Sequence, residues 1–210
     1  MKNLNQFRMK LFLKLHNYLY RKISILSKKI NNDVHPKHRI INYHKFFLDN
    51  IEKDSKILDI GCGKGELAYD LANKAKVVVA CDISKNYLDI AKKRYKSDNI
   101  IYLLADATNY NFEETFDYII LSCVLEYIKD RVKFLSRIKS LANILLIRAS
   151  TINRSWLTLY KKELGRENKD DLARSIGYTF DTFQNQIESV GLRIISYSIQ
   201  FGEIWAKVEL

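Results

Sequence analysis

Proline occurs once and glycine seven times in 210 residues, so the chain cannot build a collagen-like repeat or a proline-rich linker. Its three cysteines, Cys62, Cys81 and Cys123, are odd in number and form no CxxC pair. That excludes a disulfide framework and a zinc ribbon, and no metal site is expected. Such sparse cysteine fits a reducing cytoplasm. No apolar run reaches the roughly 18 residues that a membrane-spanning helix needs. The opening MKNLNQFRMKLFLKLHNYLYRKI has its apolar stretch broken by Lys14 and no small-residue cleavage site after it, so it does not read as an export signal. Acidic residues are scarce in one place only. Residues 1–48 hold 11 Lys/Arg against a single acid, Asp33, for a net of +10. Residues 49–210 hold 24 against 23, for a net of +1.

What is present is enough to fold: 47% of residues are hydrophobic and 12% aromatic, which excludes a disordered chain. The basic first segment can attract phosphates or anionic lipid headgroups through a salt-sensitive, sequence-independent term, or serve only as a solvated face. Within it Leu4, Phe7, Leu11, Leu15, Tyr18, Leu19, Ile23, Leu26 and Ile30 recur at gaps of three and four, the stripe of a helix. Asn31-Asn32-Asp33 reads as its stop. A second helix is expected over HPKHRIINYHKFFLDNIEKD.

Beyond it short apolar runs alternate with helical stretches. Strands are expected at Lys56–Ile60, Val77–Cys81, Ile100–Leu104, Phe116–Leu121 and Asn143–Ile147. Helices are expected at Glu66–Asn73, Lys85–Lys96 and Asp130–Ser140. The runs are continuous rather than alternating, as strands covered on both faces of a parallel sheet must be. Residues 150–180 interrupt the rhythm. A helix at Asp181–Val190 then precedes the runs Leu192–Ile199 and Ile204–Val208, which are close enough to pair as a hairpin. The expected fold class is α/β: a Rossmann-like, doubly wound, mostly parallel seven-stranded sheet that ends in an antiparallel β-hairpin, with N-terminal helices.

The chemistry centres on Lys56-Ile57-Leu58-Asp59-Ile60-Gly61-Cys62-Gly63-Lys64-Gly65-Glu66. A buried strand runs into alternating glycines and then a helix, and glycine lets the backbone turn sharply and approach a ligand closely. Glu66 stands where a dinucleotide fingerprint needs glycine or alanine, and Lys64 is followed by Gly65 where a phosphate loop needs Ser or Thr. Neither nucleotide motif fits.

Asp59-x-Gly61-x-Gly63-x-Gly65 resembles the first motif of class I S-adenosylmethionine-dependent methyltransferases, and three further motifs follow in order. Asp82 ends the second strand in VVVACDIS, Asp106 and Ala107 follow the third in YLLADATNY, and Phe116–Ile120 leads into Leu121-Ser122-Cys123-Val124-Leu125-Glu126-Tyr127-Ile128. The resemblance covers residues 55–148 closely and extends in architecture to the C-terminus. It implies S-adenosyl-L-methionine as cofactor and S-adenosyl-L-homocysteine as product. It also implies a cofactor site at Asp59, Gly61, Cys62, Gly63, Gly65, Asp82, Ile83, Asp106, Ala107 and Ser122. Asp82 would take the ribose hydroxyls, Asp106 the adenine amine, and Asp59 would lie near the methionine amino group. Tyr127 stands where the family often has histidine, which weakens a histidine-base reading there. Glu126 and Tyr127 are candidate catalytic residues beside the acceptor, with His44 a further possible base. Arg148, Arg154 and Trp156 are candidate acceptor contacts. The expected division is a basic helical arm or lid over residues 1–48 and a methyltransferase domain over 49–210, with 150–180 as an insertion on the substrate side.

The acceptor motifs of DNA amino-methylating and arginine-methylating relatives are absent. Residues His35–Leu48, Trp156–Gly165 and Phe201–Ala206 faintly resemble bacterial methyltransferases encoded with surface-glycan genes. A small-molecule or saccharide hydroxyl is therefore the expected acceptor. The alternatives are a lipid, quinone or lipid-linked sugar methylated at an anionic membrane surface, an RNA gripped by the basic arm, and a non-catalytic binding module. The expected location is cytoplasmic, with peripheral membrane attachment open.

Overall fold

The computed structural model describes residues 2–32, 35–152, 164 and 177–210. Arg154 and Trp156, and most of the expected insertion, lie outside the described residues. The chain begins with a long helix α1 (Lys2–Ile30) and two short ones, α2 (Lys37–Ile41) and α3 (Tyr43–Asn50). An alternating series follows: β1 (Lys56–Ile60), α4 (Glu66–Ala72), β2 (Val77–Asp82), α5 (Lys85–Arg94), β3 (Ile100–Leu104), β4 (Phe116–Ser122), α6 (Arg131–Ile138) and β5 (Ala142–Ser150). Among the described residues it closes with α7 (Phe180–Ser189), β6 (Arg193–Gln200) and β7 (Glu203–Glu209).

The seven strands form one sheet in the order β3-β2-β1-β4-β5-β7-β6. β1 to β5 are parallel, and β7 pairs antiparallel with both β5 and β6. This is the doubly wound sheet and terminal hairpin that the apolar runs predict. Side chains alternate between two cores as strand geometry requires. On β4, Ile119 and Leu121 join Phe134 of α6 and Phe183 of α7 on one face. Tyr118 and Ile120 join Phe47 of α3 and Leu71 of α4 on the other.

Two expectations are corrected in detail. The single helix predicted over residues 35–54 is broken at Asn42, which adopts φ +51° and donates its backbone N–H to His38 O. Asparagine tolerates this left-handed conformation better than most residues, so it serves as a hinge. β5 runs to Ser150 rather than Ile147, because β7 continues its ladder through Ser150 opposite Glu203.

The sheet order places β1 beside β4 while β2 and β5 lie outward on opposite sides. In an open α/β sheet the crevice at such a reversal, outside the carboxyl ends of the strands, is where ligands bind.

Candidate functional site

The loop after β1 is stitched to the end of β2. Gly61 and Cys62 both donate backbone N–H groups to Cys81 O, at 2.8 and 3.0 Å. Gly63 N–H donates to Asp82 Oδ2 at 2.9 Å, and Asp82 Oδ1 accepts from Ser84 N–H at 2.7 Å. The three glycines all have positive φ but do different jobs. A Cβ on Gly61 would lie 2.6 Å from Val124, and one on Gly65 would lie 2.7 Å from the Tyr102 hydroxyl. Those two glycines allow close packing within the protein. A Cβ on Gly63 would meet nothing within 4 Å, so at Gly63 the bare backbone faces open space.

That space is a cavity of about 320 Å³, walled by the loop, Asp59, Ser122, Cys123 and Arg148 and by residues of the first two helices and the turn between them, including Lys28, His35 and Lys37. Asp59 is fully buried, and its Oδ2 has no hydrogen-bond partner among the described residues. Burial and the neighbouring Asp82 push its pKa up to about 7. Burial also raises all three thiols: Cys81 to about 12, Cys123 to about 11, and Cys62 further still. They are neutral at physiological pH. Cys62 and Cys123 line the cavity, and no group of His, Cys, Asp and Glu among the described residues is arranged to hold a metal. Cys123 itself sits at φ +57°, a left-handed conformation at the very end of β4. A non-glycine residue held there costs energy that the surrounding structure must offset, as at many ligand sites.

A second cavity of about 600 Å³ adjoins the first and shares Lys28, His35, Lys37, Tyr87, Cys123 and Arg148 with it. Its far wall is Glu126, Tyr127, Ser150 and Glu203, and Tyr20 and Ser24 of α1 lie across it. Glu126 is 4% exposed. Its Oε1 accepts the Ser150 backbone N–H, while its Oε2 is buried with no partner among the described residues. Arg148 sits between the two cavities but is heavily engaged. Its Nε and Nη2 donate to Glu203 Oε2 and Oε1 at 2.5 and 2.9 Å, and its Nη1 donates to Ser122 Oγ at 3.2 Å. Its guanidinium also lies 3.8 Å from the centre of the Tyr43 ring. The Glu203 pair offsets its charge, so the open cationic character of the cleft belongs to Lys28 and Lys37, which line both cavities, and to Lys64 in the first. Lys37 is exposed as a residue yet lines both cavities, and desolvation together with Arg148 lowers its pKa.

Comparisons with known proteins bear on the family and the fold. Residues 58–143 match the sequence profile of a methyltransferase domain family. Residues 58–143 thus carry a methyltransferase domain, set in a fold shared with S-adenosylmethionine-dependent methyltransferases. The chain is 28% identical over 134 residues to the demethylmenaquinone methyltransferase of Staphylococcus epidermidis, a match that covers 60% of this chain and 54% of the relative. The chain thus spans about half the length of that relative. A TehB-like SAM-dependent methyltransferase from Corynebacterium glutamicum shares the fold with TM-score 0.61 at 17% identity, over 95% of this chain and 98% of that one. The magnesium protoporphyrin IX methyltransferase of Synechocystis, solved with bound S-adenosylhomocysteine, does so with TM-score 0.62 at 18% identity, over 82% of each.

Several described residues could hold the cofactor of such a domain. The open backbone at Gly63 offers a cradle, and the orphaned carboxylate oxygen of Asp59 suits a cationic amino group. Asp82 ends β2 as the resemblance implies, and each of its oxygens accepts only one described backbone N–H, leaving lone pairs for hydroxyls. Asp82 and Gly65 are nevertheless not among the residues that line either described cavity, and other predicted positions also lie outside them. Asp106 is exposed and outside both cavities. It accepts from the Thr108 hydroxyl and backbone and from Asn109, and these bonds, Thr108 first, hold its pKa below the ordinary value. Ile83 is 73% exposed and Ala107 is buried, and neither lines a described cavity.

His44 is not brought to the cleft. Its Nδ1 pairs with Asp70 Oδ2 at 2.5 Å and its Nε2 lies 3.3 Å from His38 Nδ1, so it ties α3 to α4. His38 does line the first cavity, but desolvation, with Lys37 and His44, lowers its pKa to about 3 and keeps it neutral. Sequence reasoning missed Glu203, Tyr43 and Lys37. The signal for Glu203 was a lone acid opening the otherwise apolar start of β7, where burial demands a cation.

Proposed function

We propose that the domain methylates a hydroxyl of a small-molecule or saccharide acceptor bound in the second cavity, and that the acceptor carries negative charge. The observation that carries this reading is the buried, unpartnered Oε2 of Glu126 in the wall of a cavity that opens onto the glycine loop. A buried carboxylate with a free lone pair is costly unless something donates to it. An acceptor hydroxyl is the donor that fits.

Bound S-adenosylmethionine supplies an electrophilic methyl group carried on a sulfonium. Asp59, Gly61, Gly63 and Asp82 would hold it, with Cys62 and Ser122 flanking. Glu126 orients the acceptor oxygen and takes its proton at Oε2, while the Ser150 N–H fixes the other carboxylate oxygen. Lys28 and Lys37 draw the anionic acceptor to the cleft mouth. The Arg148–Glu203 pair holds the wall between the cavities in register, with Tyr43 packed on the guanidinium. Walls of this kind exclude water, which would compete for the methyl group.

The test is calorimetric titration with S-adenosylhomocysteine, followed by a screen of phosphorylated and acidic sugars for S-adenosylhomocysteine release. Wild-type binding should be micromolar and weakened at least tenfold in Asp82→Ala. Glu126→Gln should bind S-adenosylhomocysteine within about threefold of wild type and lose roughly a hundredfold or more in kcat. A Glu126→Gln enzyme with full activity would remove the base from this scheme. A wild-type protein that does not bind S-adenosylhomocysteine would remove the whole reading.

A further inference from the structure

The helix α1 is amphipathic but oriented inside out. Its buried or half-buried positions are Leu13, Asn17, Ser24, Ser27 and Lys28, and these lie on one side of the helix at about 100° per residue. Four of the five are polar. On the opposite side Leu4, Phe7, Leu11, Leu15, Ile23 and Leu26 are all exposed, from 48% upward, with the cations Arg8, Lys22 and Lys29 set among them. So many exposed large apolar side chains along one side of a helix mark an interaction site.

The charge of α1 selects the partner. The helix carries eight Lys/Arg and no Asp or Glu. Lys10, Lys14 and Arg21 run along one border of the apolar stripe, and Lys22 reaches over the Tyr18 ring at 5.4 Å. Two copies of α1 packed stripe to stripe would bring cations against cations with no acid to relieve them. An RNA backbone would satisfy the cations but leave the aliphatic stripe in water. A sheet of anionic headgroups over acyl chains satisfies both. Among the described residues no helix is long and apolar enough to cross a membrane, so the contact is in the plane of the surface.

We infer that α1 docks flat on an anionic lipid bilayer, with its Leu/Phe/Ile stripe in the headgroup boundary and its lysines against the phosphates. At 29 residues it would lie along roughly 43 Å of membrane. Tyr20, Ser24 and Lys28 of the same helix line the second cavity, so docking holds that cavity close to the headgroup layer.

The experiment is cosedimentation of the full chain with vesicles of phosphatidylcholine alone and of phosphatidylcholine with phosphatidylglycerol. Retention should require phosphatidylglycerol and fall as salt rises. Replacing Lys10, Lys14, Arg21 and Lys22 together by Gln should lower the partition coefficient a hundredfold or more, since each basic residue near such a surface contributes severalfold. Leu11→Ser with Leu15→Ser should lower it at least tenfold, and both variants should still bind S-adenosylhomocysteine. Brominated lipid should quench the indole introduced by Tyr18→Trp, which reads insertion without weakening the helix. Equal retention on both vesicle types, an unquenched indole, or charge variants that bind as well as wild type would overturn the inference. So would a dimer that Leu11→Ser with Leu15→Ser dissolves, or RNA binding that outcompetes vesicles.

Discussion

In the sheet, apolar side chains point into the two cores and the buried charges at the strand ends face the cleft, whereas along α1 the polar side faces the body and the apolar side faces solvent. Both regions have the same raw material, a regular apolar period, and they dispose of it in opposite directions. The lesson is that periodicity reports that a face exists, not what covers it. Neighbouring strands and helices cover the apolar faces in the body, but nothing among the described residues covers the stripe of α1. Burial therefore stabilises the body, while the apolar stripe of α1 is left available for a partner.

The widest gap between the two regions should appear in core truncation. Phe134 on α6 is 2% exposed and packs against the β4 and β5 side of the sheet. Phe134→Ala should cost about 3–5 kcal/mol, the usual range for removing a buried ring without collapse of the space around it. In a chain of this size that lowers the melting temperature by on the order of 10 °C, readable by calorimetry. A drop of only a degree or two would mean that α6 is not part of the cooperative core.

How much of this could be read from residues alone follows the same line. Strands β1, β4 and β5 were legible because burial on both faces forces continuous apolar runs, β2 and the edge strand β3 kept such runs though only partly covered, and the glycine loop was legible because its turn needs positive φ three times in five residues. The pairing of Arg148 with Glu203 was not. The two are 55 residues apart and meet only because β7 inserts beside β5 in one particular register. His44 illustrates the converse: a histidine near the cofactor end in sequence is turned by α3 toward Asp70, and no periodicity encodes that. Glu126 was nameable from its motif, but its burial and its bond to Ser150 depend on the end of β5, which the sequence pattern under-extended.

The buried Asp59 offers a smaller effect with a defined sign. Its folded pKa, raised to about 7 by burial and by Asp82, lies above the 3.8 of an unperturbed aspartate. The folded state therefore holds this proton more tightly than the unfolded chain. The stability this contributes is complete below about pH 4 and is lost as pH rises through about 7. Asp59→Asn removes the titration. Compared with wild type, the variant should gain up to about 2–4 kcal/mol in urea unfolding at pH 8 relative to pH 4, while its affinity for S-adenosylhomocysteine falls. Parallel pH profiles for the two proteins would show that Asp59 does not titrate in this window.

The smallest stability effect belongs to α1, where it is also the most informative. Phe7 is 65% exposed, so Phe7→Ser removes almost no buried area. Its cost to folding should stay within about 0.5 kcal/mol, as for surface substitutions that disturb no cap or core. A larger cost would mean that the ring is covered in solution, by another part of the chain or by a second copy, and the contrast between the two regions would fail at that position. A negligible folding cost together with a severalfold loss of retention on anionic vesicles is the expected pair of results. A ring that contributes nothing to the fold and much to adhesion is one whose apolar surface is completed only by a partner.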